Sequence, residues 1–311
     1  MTMYEEISKN KHLSYFLIVI VTALLVLLGG AIGMATGLGW FGLVIAAAVA
    51  LTLGLTSFYR GDRIVLATSR ARQVTHDEEP QLFNVVEEMS IASGNPMPAV
   101  YIINDPAPNA FATGRDPEHS SIAVTQGLLD KMNREELQGV IAHEMSHVRN
   151  YDILFATLVG IMVGAIALMA DFFLRWTIFG GSRRSNDNSG MLGIILLVVA
   201  LVLAVLAPIA ARMVQLAISR KREYLADASG VELTRNPNGL ANALQKIADD
   251  DEVLVEANRA TAHLYIAQPI KKFEEKKRGL FDTHPPIQER IRILREMAHQ
   301  ASEPQAAPAA E

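Results

Sequence analysis

The chain has 311 residues, a formal net charge of −5 and no cysteine; half of its residues are hydrophobic and only 6% are aromatic. The lack of cysteine excludes disulfides and thiolate metal sites, so a bound metal must be held by imidazole and carboxylate groups. The slightly acidic balance gives no reason to expect a nucleic-acid partner. The length is sufficient for one catalytic domain and a membrane part.

The first feature along the chain is a long uncharged stretch. No Asp, Glu, Lys or Arg occurs from His12 to Tyr59, and Gly37-Leu38-Gly39 divides the run into two lengths that can each cross a bilayer. A cleaved signal peptide is the alternative for the first length, but the run is too long and a second span follows directly. Residues 1–60 are therefore predicted to form a transmembrane hairpin.

Basic residues flank this hairpin at its two ends, whereas the connection between the spans carries no charge. They are Lys9, Lys11, Arg60, Arg63, Arg70 and Arg72. The excess of basic residues on the cytoplasmic side of membrane proteins then places the N-terminus and residues 61–150 in the cytoplasm. The expected location is the inner membrane of a prokaryote.

Residues 61–150 have the composition of a soluble domain. Glu79-Pro80 predicts the start of an amphipathic helix that ends near Gly94. Buried-type strands are predicted over residues 99–103, 109–112 and 121–124, with a turn between the last two. This part of the chain is expected to form a small β-sheet with helices.

The most informative stretch follows directly, as His143-Glu144-Met145-Ser146-His147. Two histidines four residues apart lie on one face of a helix, so both imidazoles can bind a single ion. Glu144 can reach a metal-bound water and act as its base. Asn133 and Glu136 have the spacing of a helix-starting cap. The pattern predicts a catalytic zinc site on a helix; two solvated histidines on a surface helix are the alternative.

Two further apolar runs, over residues 153–170 and 191–211, are joined by a polar loop. They predict a second hydrophobic hairpin within residues 151–219. Hiding four such helices inside a soluble protein is the less favoured alternative. The chain is therefore expected to be a mostly helical α+β membrane protein with four hydrophobic segments.

A catalytic zinc usually takes three protein ligands, so a third is needed. On a helix, Glu223 and Asp227 stand one turn apart on the same face. Glu223 can bind the metal while Asp227 orients an imidazole from outside the ligand set. The alternative is that both acids pair with neighbouring basic residues on a solvated face; these are Arg220, Lys221 and Arg222. Spacing alone does not decide, and His284, followed by two prolines, is the rival ligand.

After Gly230 the chain again has the composition of a soluble domain, and helices are predicted over residues 240–247 and 287–297. The tail is mostly Ala, Pro, Gln and Glu and is expected to be disordered. The predicted division is a transmembrane hairpin (1–60), the first part of a protease domain (61–150), a second hydrophobic hairpin (151–219), the second part of the protease domain (220–297) and a tail (298–311).

Several separated motifs together closely resemble the HtpX family, membrane-embedded zinc metalloproteases related to the CAAX prenyl proteases. They are His143-Glu144-Met145-Ser146-His147, Arg222-Glu223-Tyr224-Leu225-Ala226-Asp227, Thr283-His284-Pro285-Pro286 with Glu289 and Arg290, and Asn109-Ala110-Phe111-Ala112. The resemblance covers about residues 1–297, in order and with fitting spacing. It implies that Glu223 is the third ligand of a gluzincin-type domain. It also implies a role in quality control of membrane proteins under stress.

The expected reaction is hydrolysis of a peptide bond by a water that zinc activates, with one Zn²⁺ per chain. His143, His147 and Glu223 hold the metal, and Glu144 takes the proton from the water and delivers it to the leaving amine. The resemblance implies that His284 and Arg290 help, with Arg290 bracing the carboxylate ligand. From the residues alone, a surface charge is the favoured interpretation of Arg290.

The substrate is expected to lie extended against a sheet edge and to give its backbone hydrogen bonds to a strand. Residues 109–112 and 121–124 form the candidate binding strands, and ordinary core strands are the alternative. Peptides or membrane proteins are the expected substrates, with membrane lipid as a further partner.

Two other classes of function compete with a protease. A membrane scaffold that binds zinc without catalysis would keep the histidines but would not need Glu144. A transporter would need an ion path through the membrane, but the apolar runs contain no acid, and Asp171 lies only at a segment end. The intact Glu144 therefore favours the enzyme.

Overall fold

The computed structural model describes residues 3–35, 38–162, 164, 220–252, 254, 261–267 and 285–302. These residues form α-helices and one small mixed sheet. The helices are α1 (Met3–Ala35), α2 (Trp40–Thr68), α3 (Pro80–Ser93), α4 (Gln126–Lys131), α5 (Arg134–Arg149), α6 (Asp152–Met162), α7 (Arg220–Thr234), α8 (Pro237–Asp249) and α9 (Ile287–Ser302). The strands are β1 (Arg72–Gln73), β2 (Ala99–Ile103), β3 (Ala110–Asp116) and β4 (His119–Thr125).

Helices α1 and α2 pack together over the predicted N-terminal hairpin. Within the described part of the chain, α2 is the one helix long and apolar enough to cross a membrane. Its apolar window is only 11% buried, which distinguishes it from the core helix of a soluble protein. The helix continues past the predicted boundary at residue 60, and Val65 and Leu66 near its end are buried against the sheet domain. This packing connects the candidate membrane helix directly to the part of the chain that contains the sheet.

The second predicted hairpin lies largely outside the described residues. Only its beginning is seen, as α6, an apolar helix too short by itself to span a bilayer. It packs on α2 at Gly61, where a Cβ atom would come within 2.9 Å of the Thr157 side chain. Of the four predicted hydrophobic segments, the described residues therefore confirm only the second, α2, as long and apolar enough to cross a membrane.

The sheet has the strand order β1-β2-β4-β3, with β2 and β4 parallel and the other two pairs antiparallel. The strand predicted over residues 99–103 is confirmed, whereas the two that follow are longer than predicted. Gly114 lies at an irregularity in β3 with φ +143°, and a Cβ atom there would lie 2.3 Å from the His119 carbonyl oxygen. Strand β3 is at the edge of the sheet, beside α5.

Helix α5 lies at the centre of the main hydrophobic core, between the sheet, α3, α7 and α8. The predicted capping box is confirmed, because Asn133 and Glu136 each accept a hydrogen bond from the other's backbone N–H. Close approach of α8 requires Gly139, since a Cβ atom there would lie 2.6 Å from the Leu240 backbone nitrogen. Two predicted helix boundaries were wrong: α8 begins at Pro237, and α9 runs past residue 297 into the predicted tail to Ser302.

Candidate metal centre

Helix α5 presents His143 and His147 on one face, at the bottom of a cleft. Their Nε2 atoms are 3.2 Å apart and their rings meet edge to face. His143 is fully buried, and the His147 side chain is 16% exposed. The motif therefore lies inside the protein, and the alternative of two solvated histidines is wrong.

Glu223 reaches the two imidazoles from α7. Its carboxylate oxygens lie 3.7 Å from the Nε2 atom of His143 and 3.7 Å from that of His147. This approach depends on Gly230, where a Cβ atom would come within 3.2 Å of the His143 backbone nitrogen. A larger residue at this position would require α7 and α5 to shift apart by a few tenths of an ångström.

A carboxylate other than that of Glu223 contacts the Nδ1 atom of each histidine. An Asp227 oxygen lies 2.9 Å from Nδ1 of His143, and an Asp152 oxygen lies 2.9 Å from Nδ1 of His147. An Nδ1–H bond to a carboxylate fixes the ring and leaves the lone pair on Nε2. Both Nε2 atoms thus face Glu223, which is the arrangement that a shared cation needs.

These three groups fit a metal ion in chemistry and spacing. One ligand atom from each of His143, His147 and Glu223 can be chosen so that all lie within 4.8 Å of one another. Two nitrogens bound to a tetrahedral zinc at ~2.0–2.1 Å stand about 3.3 Å apart, close to the 3.2 Å between the two Nε2 atoms. Imidazole and carboxylate ligands suit zinc with an open position.

Glu144 lines the same small cavity, of about 40 Å³, as the three candidate ligands. Its carboxylate accepts a hydrogen bond from the backbone of Ala112 on the edge strand. Burial raises the pKa of Glu144 to about 7; the charge of His147 opposes this rise and that of Glu223 adds to it. A carboxyl group with such a pKa can both accept and release a proton near neutrality.

The two histidines differ in their proton affinity. Burial lowers the pKa of His143, and the hydrogen bond to Asp227 only partly offsets this effect. Burial by itself also lowers the pKa of His147, but Asp152 and Glu223 outweigh it and raise the pKa to about 9. Without a metal, His147 is therefore the imidazole that carries a proton at neutral pH.

Arg290 is buried behind His143, so its interpretation as a surface charge is wrong. Its guanidinium donates two hydrogen bonds to the Asp227 carboxylate, at 2.7 and 2.8 Å, and a third to the Ile266 carbonyl at 3.0 Å. One of its nitrogens lies 3.6 Å from Glu223. Although burial by itself raises the pKa of Asp227, the charge of Arg290 and their hydrogen bonds lower it to about 2. Asp227 thus stays ionised while it holds the imidazole.

The candidate substrate strand is only partly at the cavity. Ala112 lines the cavity, whereas Ala110 and Phe111 do not; the ring of Phe111 packs edge to face against Tyr265. The Asn109 amide donates to the Ala267 carbonyl at 3.0 Å. The edge of β3 is already paired at Ala110, because the Ala110 carbonyl accepts a 2.9 Å hydrogen bond from the Ile266 N–H. Of residues 109–112, Ala112 is therefore the one that lies at the cavity of the candidate metal ligands.

His284 lies outside the described residues, and its helper role stays a prediction. Asp152 is the site residue that sequence reasoning missed. The signal that could have found it is an acid five residues after His147, at the start of an apolar run. Tyr151, with φ +60°, forms the turn that returns this acid to the end of α5.

Comparison with known proteins agrees with this geometry. The model of peptidase family M48 matches residues 76–298. A protein of Dictyoglomus turgidum named Protease HtpX homolog is 45% identical over 95% of this chain and 95% of its own length. Proteins of the same name from Streptococcus gordonii and Lactobacillus helveticus are 46% and 44% identical, over 95% of this chain and 100% of theirs. The crystal structure of S. mikatae Ste24p aligns with 94% of this chain and 67% of that chain, at 15% identity and a TM-score of 0.47. The chain belongs to peptidase family M48, among the HtpX proteases, and the resemblance carried by its motifs is confirmed.

Proposed function

We propose that this chain is a zinc-dependent endopeptidase of the cytoplasmic membrane that cleaves misfolded membrane proteins under stress. The observation that carries the proposal is the position of Glu144, whose buried carboxyl group lies in the cavity of His143, His147 and Glu223. The family to which the chain belongs supports peptide-bond hydrolysis as the reaction.

Different residues of the chain bind the metal and transfer the proton. His143, His147 and Glu223 would hold the ion, which when bound supplies a Lewis acid and activates water. Glu144 accepts the proton of the attacking water and returns it to the leaving amine, a role that suits its pKa of about 7. The Ala112 backbone, beside Glu144, would orient an extended substrate at the edge of the sheet.

A non-catalytic zinc scaffold is the second candidate, and the burial of Glu144 argues against it. A carboxyl group with a strongly raised pKa costs stability at neutral pH, because the folded protein disfavours its ionised form. A scaffold gains nothing from this cost, whereas a proton-transfer group requires it.

The proposal is tested by metal analysis and proteolysis of the purified full chain in detergent, with an unfolded membrane protein as substrate. We expect one zinc per chain, cleavage that stops when zinc is chelated, and recovery when zinc is restored. Stoichiometric zinc without any cleavage would instead identify a scaffold. Cleavage that persists after complete removal of zinc would contradict the ligand assignment.

Binding of zinc to the metal-free protein should release a proton. His147 carries a proton below its pKa of about 9 and must lose it to bind a metal, whereas His143, with a lowered pKa, is already neutral. The apparent zinc affinity should therefore rise with pH up to about 9. Calorimetry at pH 7 in buffers of different ionisation enthalpy measures the release. A heat independent of the buffer would contradict this prediction.

The orientation of the N-terminal hairpin can be tested with single cysteines, because the chain has none of its own. Leu38, an exposed residue just before α2, should face the outside, and the exposed Asp77 the cytoplasm. A membrane-impermeant thiol reagent should label Leu38→Cys in intact cells, and Asp77→Cys only after lysis. The reverse pattern would refute a cytoplasmic metal centre.

A further inference from the structure

The first turns of α1 lie against the metal centre, and one buried side chain makes the connection. Asn10 precedes the uncharged run, and none of its surface is exposed. Its amide NH₂ group donates to an Asp152 oxygen at 2.6 Å and to the Asn150 carbonyl at 3.1 Å. Its amide oxygen accepts a 3.0 Å hydrogen bond from Arg222. One side chain of α1 thus contacts three residues: Asn150 at the end of α5, Asp152 at the start of α6 and Arg222 on α7.

Two of these contacts, those to Asp152 and Arg222, connect Asn10 to candidate ligands. The second oxygen of Asp152 holds Nδ1 of His147 at 2.9 Å. Arg222 precedes Glu223 on α7, and its Nε atom lies 3.6 Å from the Asp152 oxygen that Asn10 also contacts. Asn10 therefore holds Asp152, which orients His147, and Arg222, which is next to Glu223 in sequence.

The chemistry of this position is selective. The side chain must donate to a carboxylate and at the same time accept from a guanidinium. An amide does both without charge, whereas an aspartate would repel Asp152 and a lysine would repel Arg222. Burial makes any such mismatch more costly.

We propose that Asn10 is a positioning residue of the metal centre. Through Asp152 it fixes the ring of His147, so that α1 contributes to the geometry of the site. The inference rests on the proposed zinc function. Partners that orient metal-binding histidines typically contribute ~10–100-fold to metal affinity. Because Asn10 acts one contact further out, the lower end of this range is expected.

The test is the zinc affinity of the full chain, measured by competition with a chelator, with the melting temperature of the metal-free protein recorded in parallel. Asn10→Ala should weaken zinc binding by about 10-fold. Asn10→Asp, of nearly the same size, should weaken it at least as much, because it sets a second carboxylate beside Asp152. Ser14→Ala is the matched control: Ser14 is equally buried one turn along α1 but bonds only the Asn10 backbone oxygen. Its zinc affinity should be unchanged.

A double-mutant cycle distinguishes positioning from general support of the fold. If Asn10 acts through Asp152, the losses of zinc affinity in Asn10→Ala and Asp152→Ala should be less than additive when combined. Unchanged affinity in both Asn10 variants, or additive losses, would overturn the inference. A native chain that binds no zinc would instead refute the proposed function, so the two failures are distinguishable.

Discussion

Replacement of Glu144 by glutamine should abolish proteolysis while zinc stays bound. The amide has nearly the same size and remains in the cavity, but it cannot accept the proton of the attacking water. General base catalysis contributes ~10²–10⁴-fold, so kcat should fall by at least this factor. The three groups that would hold the metal are unchanged, and zinc content should remain at one per chain. Turnover of a membrane-protein substrate and metal analysis on the same preparation measure both quantities.

Glu135→Gln is the matched control, because it makes the same chemical change on the exposed side of the same helix. We expect native turnover from this variant. If Glu144→Gln also retained native turnover, another group would have to be the base. If it lost its zinc, Glu144 would belong to the ligand set, and the division of roles proposed above would fail.

Replacement of Arg290 by methionine should be the most destabilising single change at the site. Arg290 is 1% exposed and donates two hydrogen bonds to Asp227, so its removal leaves a buried carboxylate without its strongest partner. Breaking a buried pair in this way typically costs about 3–5 kcal/mol. Chemical unfolding of the metal-free protein in detergent, followed by circular dichroism, measures the loss.

The same helix provides the comparison, since Arg292 is exposed and pairs with Glu289 and Glu296 at the surface. Arg292→Met should leave the unfolding transition unchanged. Combining Arg290→Met with Asp227→Asn should recover part of the lost stability, because the unpaired charge is removed. A single Arg290→Met variant as stable as the native chain would show that the buried pair is not needed for the fold.

The metal motif could be predicted from sequence because its signals are local. The spacing of His143 and His147 determines a common helix face, and the cap at Asn133 and Glu136 identifies where that helix begins. Spacing made Glu223 a candidate third ligand but did not decide the question, because the basic residues beside it in sequence could equally well pair with its carboxylate. The family resemblance favoured it, and the structure places it beside both imidazoles.

Other features depend on contacts between distant parts of the chain. Arg290 has the spacing of a surface charge on an amphipathic helix, and only its pairing with Asp227 on another helix explains its burial. Asp152 returns to His147 through a turn at Tyr151, a residue that rarely adopts positive φ and so gives no turn signal. Strand β1, with two residues, is too short to show any periodicity.

The division of the ligand set along the chain has a consequence for biosynthesis. His147 and Glu223 are 76 residues apart in the sequence. At a synthesis rate of ~5–20 residues per second, the helix of Glu223 follows that of the histidines by roughly 4–15 s. During this interval the growing chain holds two of its three candidate metal ligands. On the proposed function, the metal site therefore stays incomplete until α7 has been synthesised and has packed against α5.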